Sequence, residues 1–185
     1  MVGYERRERK IVLSALFTAL SVTLGYMLAG VPNVELMTLC VFLSGVFLGP
    51  NLGAVVGALS ILFYSIFNPF GPALPPLIIA QVCAFSLIGF SGGLLRRYIR
   101  SGDRRAAMIS AASGLVLTLV YDLLTTVATG LIALGVQGFF KGITGVFIAG
   151  SGLVAIHVLT NTAIFAIVVV PIVRVTAAWE GRSGA

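Results

Sequence analysis

The sequence predicts an all-α fold: a polytopic membrane protein with six transmembrane helices and both termini in the cytoplasm. Three observations predict it. Apolar residues make up 58% of the 185-residue chain and charged residues only 10%, against about 25% charged in a soluble domain. The apolar runs exceed the roughly 18 residues that mark a membrane-crossing helix. Eleven of the twelve Lys and Arg residues fall in three clusters: Arg6, Arg7, Arg9 and Lys10; Arg96, Arg97, Arg100, Arg104 and Arg105; and Arg174 with Arg182. Between the clusters only Glu35, Asp122 and Lys141 carry charge. A chain of this length holds such a bundle and little else, so one domain over 1–185 is expected.

The elements follow in order. The basic start leads into a first helix over 9–29, too long for a signal-peptide core and without a small-x-small cut, so it reads as retained. Helices over 34–48 and 51–67 are split by Gly49-Pro50-Asn51, because proline ends one helix and can open the next. The segment 68–76 (NPFGPALPP) carries four prolines and a glycine and reads as a stiff loop. Helices over 75–98 and 106–135 flank a basic connector. A glycine-broken loop over 136–144 precedes a last helix over 145–175.

Six spans put both termini on one side. The positive-inside bias makes that side cytoplasmic, with Lys141 alone outside. The high pI of about 9.9 therefore reflects the bilayer partner, and nucleic acid is excluded as one. No internal repeat of the kind that marks many carriers is evident. Cys40 and Cys83, both in apolar runs, read as core thiols with no metal-ligand spacing, and no metal or catalytic site is expected.

Few polar residues remain to carry function. Asp122 lies in helix five, where the helical rise places it about 24 Å above the cytoplasmic end. An acid at that depth must be protonated, paired or facing a polar cavity. Thr118, Asp122, Thr125 and Thr126 form one polar stripe by their spacing, with Tyr121 beside it. His157 and Asn161 share a face of helix six near and below the midplane, as core groups or as a functional pair. Asn33 and Glu35 open helix two, as cap and dipole partner or as ligand contacts. Gln81, Tyr64, Asn68 and Lys141 lie toward the outer end, with Phe70, Phe139 and Phe140 available for stacking or as a lid. Together these residues suggest one outward-facing polar pocket. Ala15 and Ala19 place a flat small-residue surface on helix one, for packing or for a partner.

The residues so placed resemble the substrate-binding S components of energy-coupling factor (ECF) transporters, which take up vitamins and related micronutrients in prokaryotes. The resemblance rests on Ala15-Leu16-Phe17-Thr18-Ala19, Gly49-Pro50-Asn51-Leu52-Gly53, Tyr121-Asp122-Leu123-Leu124-Thr125 and His157-Val158-Leu159-Thr160-Asn161, in that order over nearly the whole chain. It implies a vitamin-like ligand held under the outer loops of a cell-membrane protein. It implies docking through Ala15 and Ala19 on a transmembrane coupling subunit, and ATP use by a pair of partner ATPases, with no cofactor in this chain. A self-sufficient proton-coupled carrier using Asp122 and His157 is the alternative. An intramembrane enzyme is disfavoured, because Asp122 and His157 read at different depths and a nucleophile–base pair must touch.

Overall fold

The computed structural model describes residues 2–31 and 34–182. Six helices follow one another: α1 (Val2–Met27), α2 (Met37–Leu48), α3 (Pro50–Ile66), α4 (Pro75–Ile99), α5 (Arg104–Leu134) and α6 (Phe139–Arg182). No strand occurs among the described residues. Four helices, α1, α4, α5 and α6, are long and apolar enough to cross a membrane, and α2 and α3 are shorter apolar helices. The outer surface is apolar: Leu16, Phe63, Ile79, Leu123, Leu159 and Ile167 are all exposed. Exposed apolar side chains on every long helix are what a lipid solvent requires.

The twelve-residue α2 spans about 18 Å, too short for a bilayer core by itself. It is instead the centre of the bundle, buried at every position except Phe47. Gly49, at φ +99, turns the chain from α2 into α3, and Pro50 supplies the first residue of α3, where its missing N–H costs nothing.

Glycine sets how closely α2, α3 and α4 pack. A Cβ at Gly45 or at Gly53 would run into the Gly89 carbonyl oxygen, and one at Gly89 into the Gly53 carbonyl oxygen. Three backbones thus meet where the sequence shows small residues at four-residue spacing. Gly89→Val is expected to cost about 1–3 kcal/mol through forced backbone shifts. A fall in unfolding temperature in detergent checks it. Gly152→Ala is the contrast, since a Cβ there meets nothing within 4 Å, and it should leave stability within about 0.5 kcal/mol.

The starts of α2 and α6 differ from expectation, each for a physical reason. Helix α2 begins after Glu35 rather than before it, with Leu36 as N-cap and no side-chain cap bond, because the Glu35 carboxylate is engaged elsewhere. The expected cap Asn33 lies outside the described residues. Helix α6 begins at Phe139, so most of the expected loop over 136–144 is helical. Its glycines are contact points: a Cβ at Gly142 would strike the Gly130 carbonyl oxygen of α5, and one at Gly130 would lie 2.7 Å from the Ile143 nitrogen. Cys40 is buried as expected, whereas Cys83 lies on the exposed surface.

The basic end is tied together by polar contacts. Asp103 caps α5, its carboxylate accepting from the Ala106 N–H at 2.8 Å and the Ser101 hydroxyl at 3.0 Å. These donors hold the Asp103 carboxyl below its usual range. Arg174 Nε donates to the Gly102 carbonyl at 2.6 Å, pinning α6 to the α4–α5 connector. Asp103→Ala should lower the unfolding temperature modestly, because the first turn of α5 loses its side-chain acceptor.

Candidate functional site

At the end of the bundle opposite the basic residues, the helices part around a cavity of about 430 Å³. Its walls come from the end of α1, the connection into α2, the end of α3, the loop residue Phe70, and the facing stretches of α5 and α6. Glu35, Tyr64, Tyr121, Asp122, Thr126 and His157 all line it.

Its polar wall is built on two rungs between the antiparallel α5 and α6. His157 Nδ1 lies 2.8 Å from Asp122 Oδ1. One turn deeper, the Asn161 amide donates to the Thr118 hydroxyl at 3.1 Å. Residues read at different depths therefore touch. The reason is that Cα–Cβ bonds tilt toward a helix's N-terminus. On α5 the Asp122 side chain leans toward the basic end, on α6 the His157 side chain leans away from it, and they meet between.

A third group closes the arrangement. His157 Nε2 lies 3.2 Å from Glu35 Oε1, and the same oxygen accepts from the Thr38 hydroxyl at 2.6 Å. His157 is 5% exposed, and the Asp122 and Glu35 side chains are 12% and 26% exposed. A buried imidazole thus bridges one carboxylate on a helix and one on the α1–α2 connection. Tyr121 sets its ring edge-on to His157, with centroids 5.7 Å apart, and packs edge-on against Phe85 at 5.6 Å.

Gln81 stands behind this wall. Its carbonyl accepts from the Ser65 hydroxyl at 2.8 Å and its amide donates to the Tyr121 hydroxyl at 3.4 Å. Because that last bond is long, Tyr121→Phe is expected to lower stability by less than about 1 kcal/mol, read by thermal unfolding. Asn161 is fully buried beneath His157. The side-chain oxygen of Asn68 accepts from the Phe70 N–H at 2.9 Å, fixing the turn that presents Phe70. Lys141 lines a separate depression with Val136, Gln137 and Phe140 and is not among the residues that line the cavity. Thr125, part of the expected stripe with Asp122 and Thr126, also lines the cavity; Thr129, not singled out in the sequence, lines it too and continues the same spacing.

Ala15 and Ala19 are exposed on α1. They line an apolar groove of about 760 Å³ against Val55, Leu59 and Phe63 of α3. It lies apart from the polar cavity, and no described residue lines both.

A helical bundle with an apolar exterior, arginine clusters at one end and a polar cavity at the other has the form of an integral membrane protein. The chain matches the family described as "ECF transporter, substrate-specific component" over residues 9–176, and it belongs to that family. The family is a transporter component and not a catalytic one. No curated protein and no solved structure shows a significant match to the chain.

Proposed function

We propose that this chain is the substrate-binding subunit of an ECF-type uptake transporter for a vitamin-like micronutrient. In this reading it is one domain embedded by six spans in a prokaryotic cell membrane, with both termini cytoplasmic. It captures ligand at the outer face and docks through α1 on a coupling subunit powered by two partner ATPases. ATP is consumed by the partners, and no chemistry is done on the ligand. The observation that carries the reading is the polar cavity walled by Glu35, Asp122 and His157 at the end away from the arginine clusters. Eight polar or aromatic residues singled out by type and position in the sequence converge on it. Short α2 and α3 fit as spans because α2 is sheathed by its neighbours rather than by lipid.

Mass spectrometry of small molecules released from the detergent-purified protein tests it. A vitamin-like compound at near-stoichiometric amount, absent from Asp122→Ala, is the expected result. Preparations that release nothing and bind nothing would count against the reading. The contact of His157 with two carboxylates favours a second reading, a proton-coupled carrier. That reading requires uptake into vesicles containing this protein alone, abolished by an uncoupler.

A further inference from the structure

Each ring nitrogen of His157 faces a carboxylate oxygen, Nδ1 at 2.8 Å from Asp122 and Nε2 at 3.2 Å from Glu35. A neutral imidazole has one N–H donor and one lone pair. A lone pair pointed at a carboxylate oxygen at such a distance is repelled, so a proton belongs in each contact. One is the imidazole's own. The other sits either on the second ring nitrogen or on the facing carboxyl group. Both placements leave the three groups with the same charge, a single net negative one.

No basic side chain among the described lining residues offsets that charge. No Lys or Arg is among the described lining residues, and Lys141 faces a different depression. The second Asp122 oxygen, Oδ2, is buried with no hydrogen-bond partner among the described residues. An acceptor left so is costly, and more so if charged. The remaining polar side chains among the described lining residues carry only hydroxyls, those of Tyr64, Tyr121, Thr125, Thr126 and Thr129, and Tyr64, Phe70 and Tyr121 supply aromatic rings. Aromatic faces beside an uncompensated carboxylate suit an organic cation. No group of side chains that could hold a metal ion occurs among the described residues.

We propose that the cavity selects a small organic monocation, whose positively charged nitrogen donates to the Asp122–His157–Glu35 wall, and rejects carboxylate- and phosphate-bearing compounds. This inference rests on the substrate-binding reading above and narrows its substrate class. A carboxylate ligand would bring a second negative charge against Asp122 with no basic residue to receive it. A monocation completes the neutral set, and its N–H groups meet the wall at the more open Glu35 carboxylate.

The test uses a rich growth medium separated by ion exchange into cationic, neutral and anionic fractions. Each is added to the detergent-purified full-length chain and the unfolding temperature is read. The cationic fraction alone is expected to raise it. Glu35→Gln and Asp122→Asn, which keep size and remove charge, should each require roughly tenfold more of that fraction for the same shift. Glu35→Gln precedes α2 and keeps the test available if Asp122→Asn fails to fold. Stabilisation by the anionic or neutral fraction alone overturns the monocation while leaving a binding protein. Unchanged response in both variants overturns the role of the wall. Stabilisation by no fraction overturns the binding reading, and the inference with it.

Discussion

His157→Leu is expected to destabilise the protein more than any other single change in the cavity wall. Leucine has similar bulk but no ring nitrogen. Asp122, at 12% exposure, then loses its partner at 2.8 Å, while its other oxygen already has none among the described residues. Glu35 keeps the Thr38 hydroxyl and is more open, so it suffers less. Breaking a buried charged set by removing one member costs about 3–5 kcal/mol, because the others stay buried and uncompensated. Thermal unfolding in detergent reads the loss. The sharper check is the combination of His157→Leu with Asp122→Asn and Glu35→Gln. Removing the orphaned charges should recover much of the stability, so the triple variant should unfold at a higher temperature than His157→Leu alone. If His157→Leu unfolds with the wild type, the three groups do not form an energetic unit.

Ala15→Trp and Ala19→Trp should each reduce uptake by roughly tenfold or more, since a bulky side chain at the centre of an interface removes most of its affinity. Ligand binding by the isolated protein should be unchanged. The two alanines lie exposed on α1, in the groove that faces Val55, Leu59 and Phe63. The groove has room for an indole, so the bundle itself should tolerate the change. Its wall is almost entirely apolar and makes few directional demands, which suits a surface that meets a partner by close packing. Uptake is measured in cells or vesicles supplied with the coupling subunit and ATPases, binding by thermal shift on the purified chain. Uptake at wild-type level in both variants would show that docking does not use this face.

Much of this protein is legible in its residues because a bilayer imposes strict rules. Backbone polar groups must be satisfied within each segment, so long apolar runs become helices. Pro50 and the 68–76 prolines mark where helices cannot continue. Charge is expensive in the membrane, so Glu35, Asp122 and His157 stand out as candidates by residue type and position alone. What the sequence by itself determined was therefore the all-helical class, the six helices with most of their boundaries, and the short roster from which a site had to be drawn. The tertiary structure alone decided how that roster is joined. Depth along one helix does not say which side chains touch, because antiparallel helices lean their side chains toward each other and bring Asp122 to His157 across different heights. Glu35 reaches the same histidine from 122 positions away in the chain, a pairing that no local spacing records. The same holds for glycine. Locally, Gly142 reads as a break, and only the backbone of Gly130 against it shows a contact that needs a missing side chain. Polarity and propensity are properties of single residues, whereas pairing depends on helix direction and packing distance, which exist only once the chain has folded.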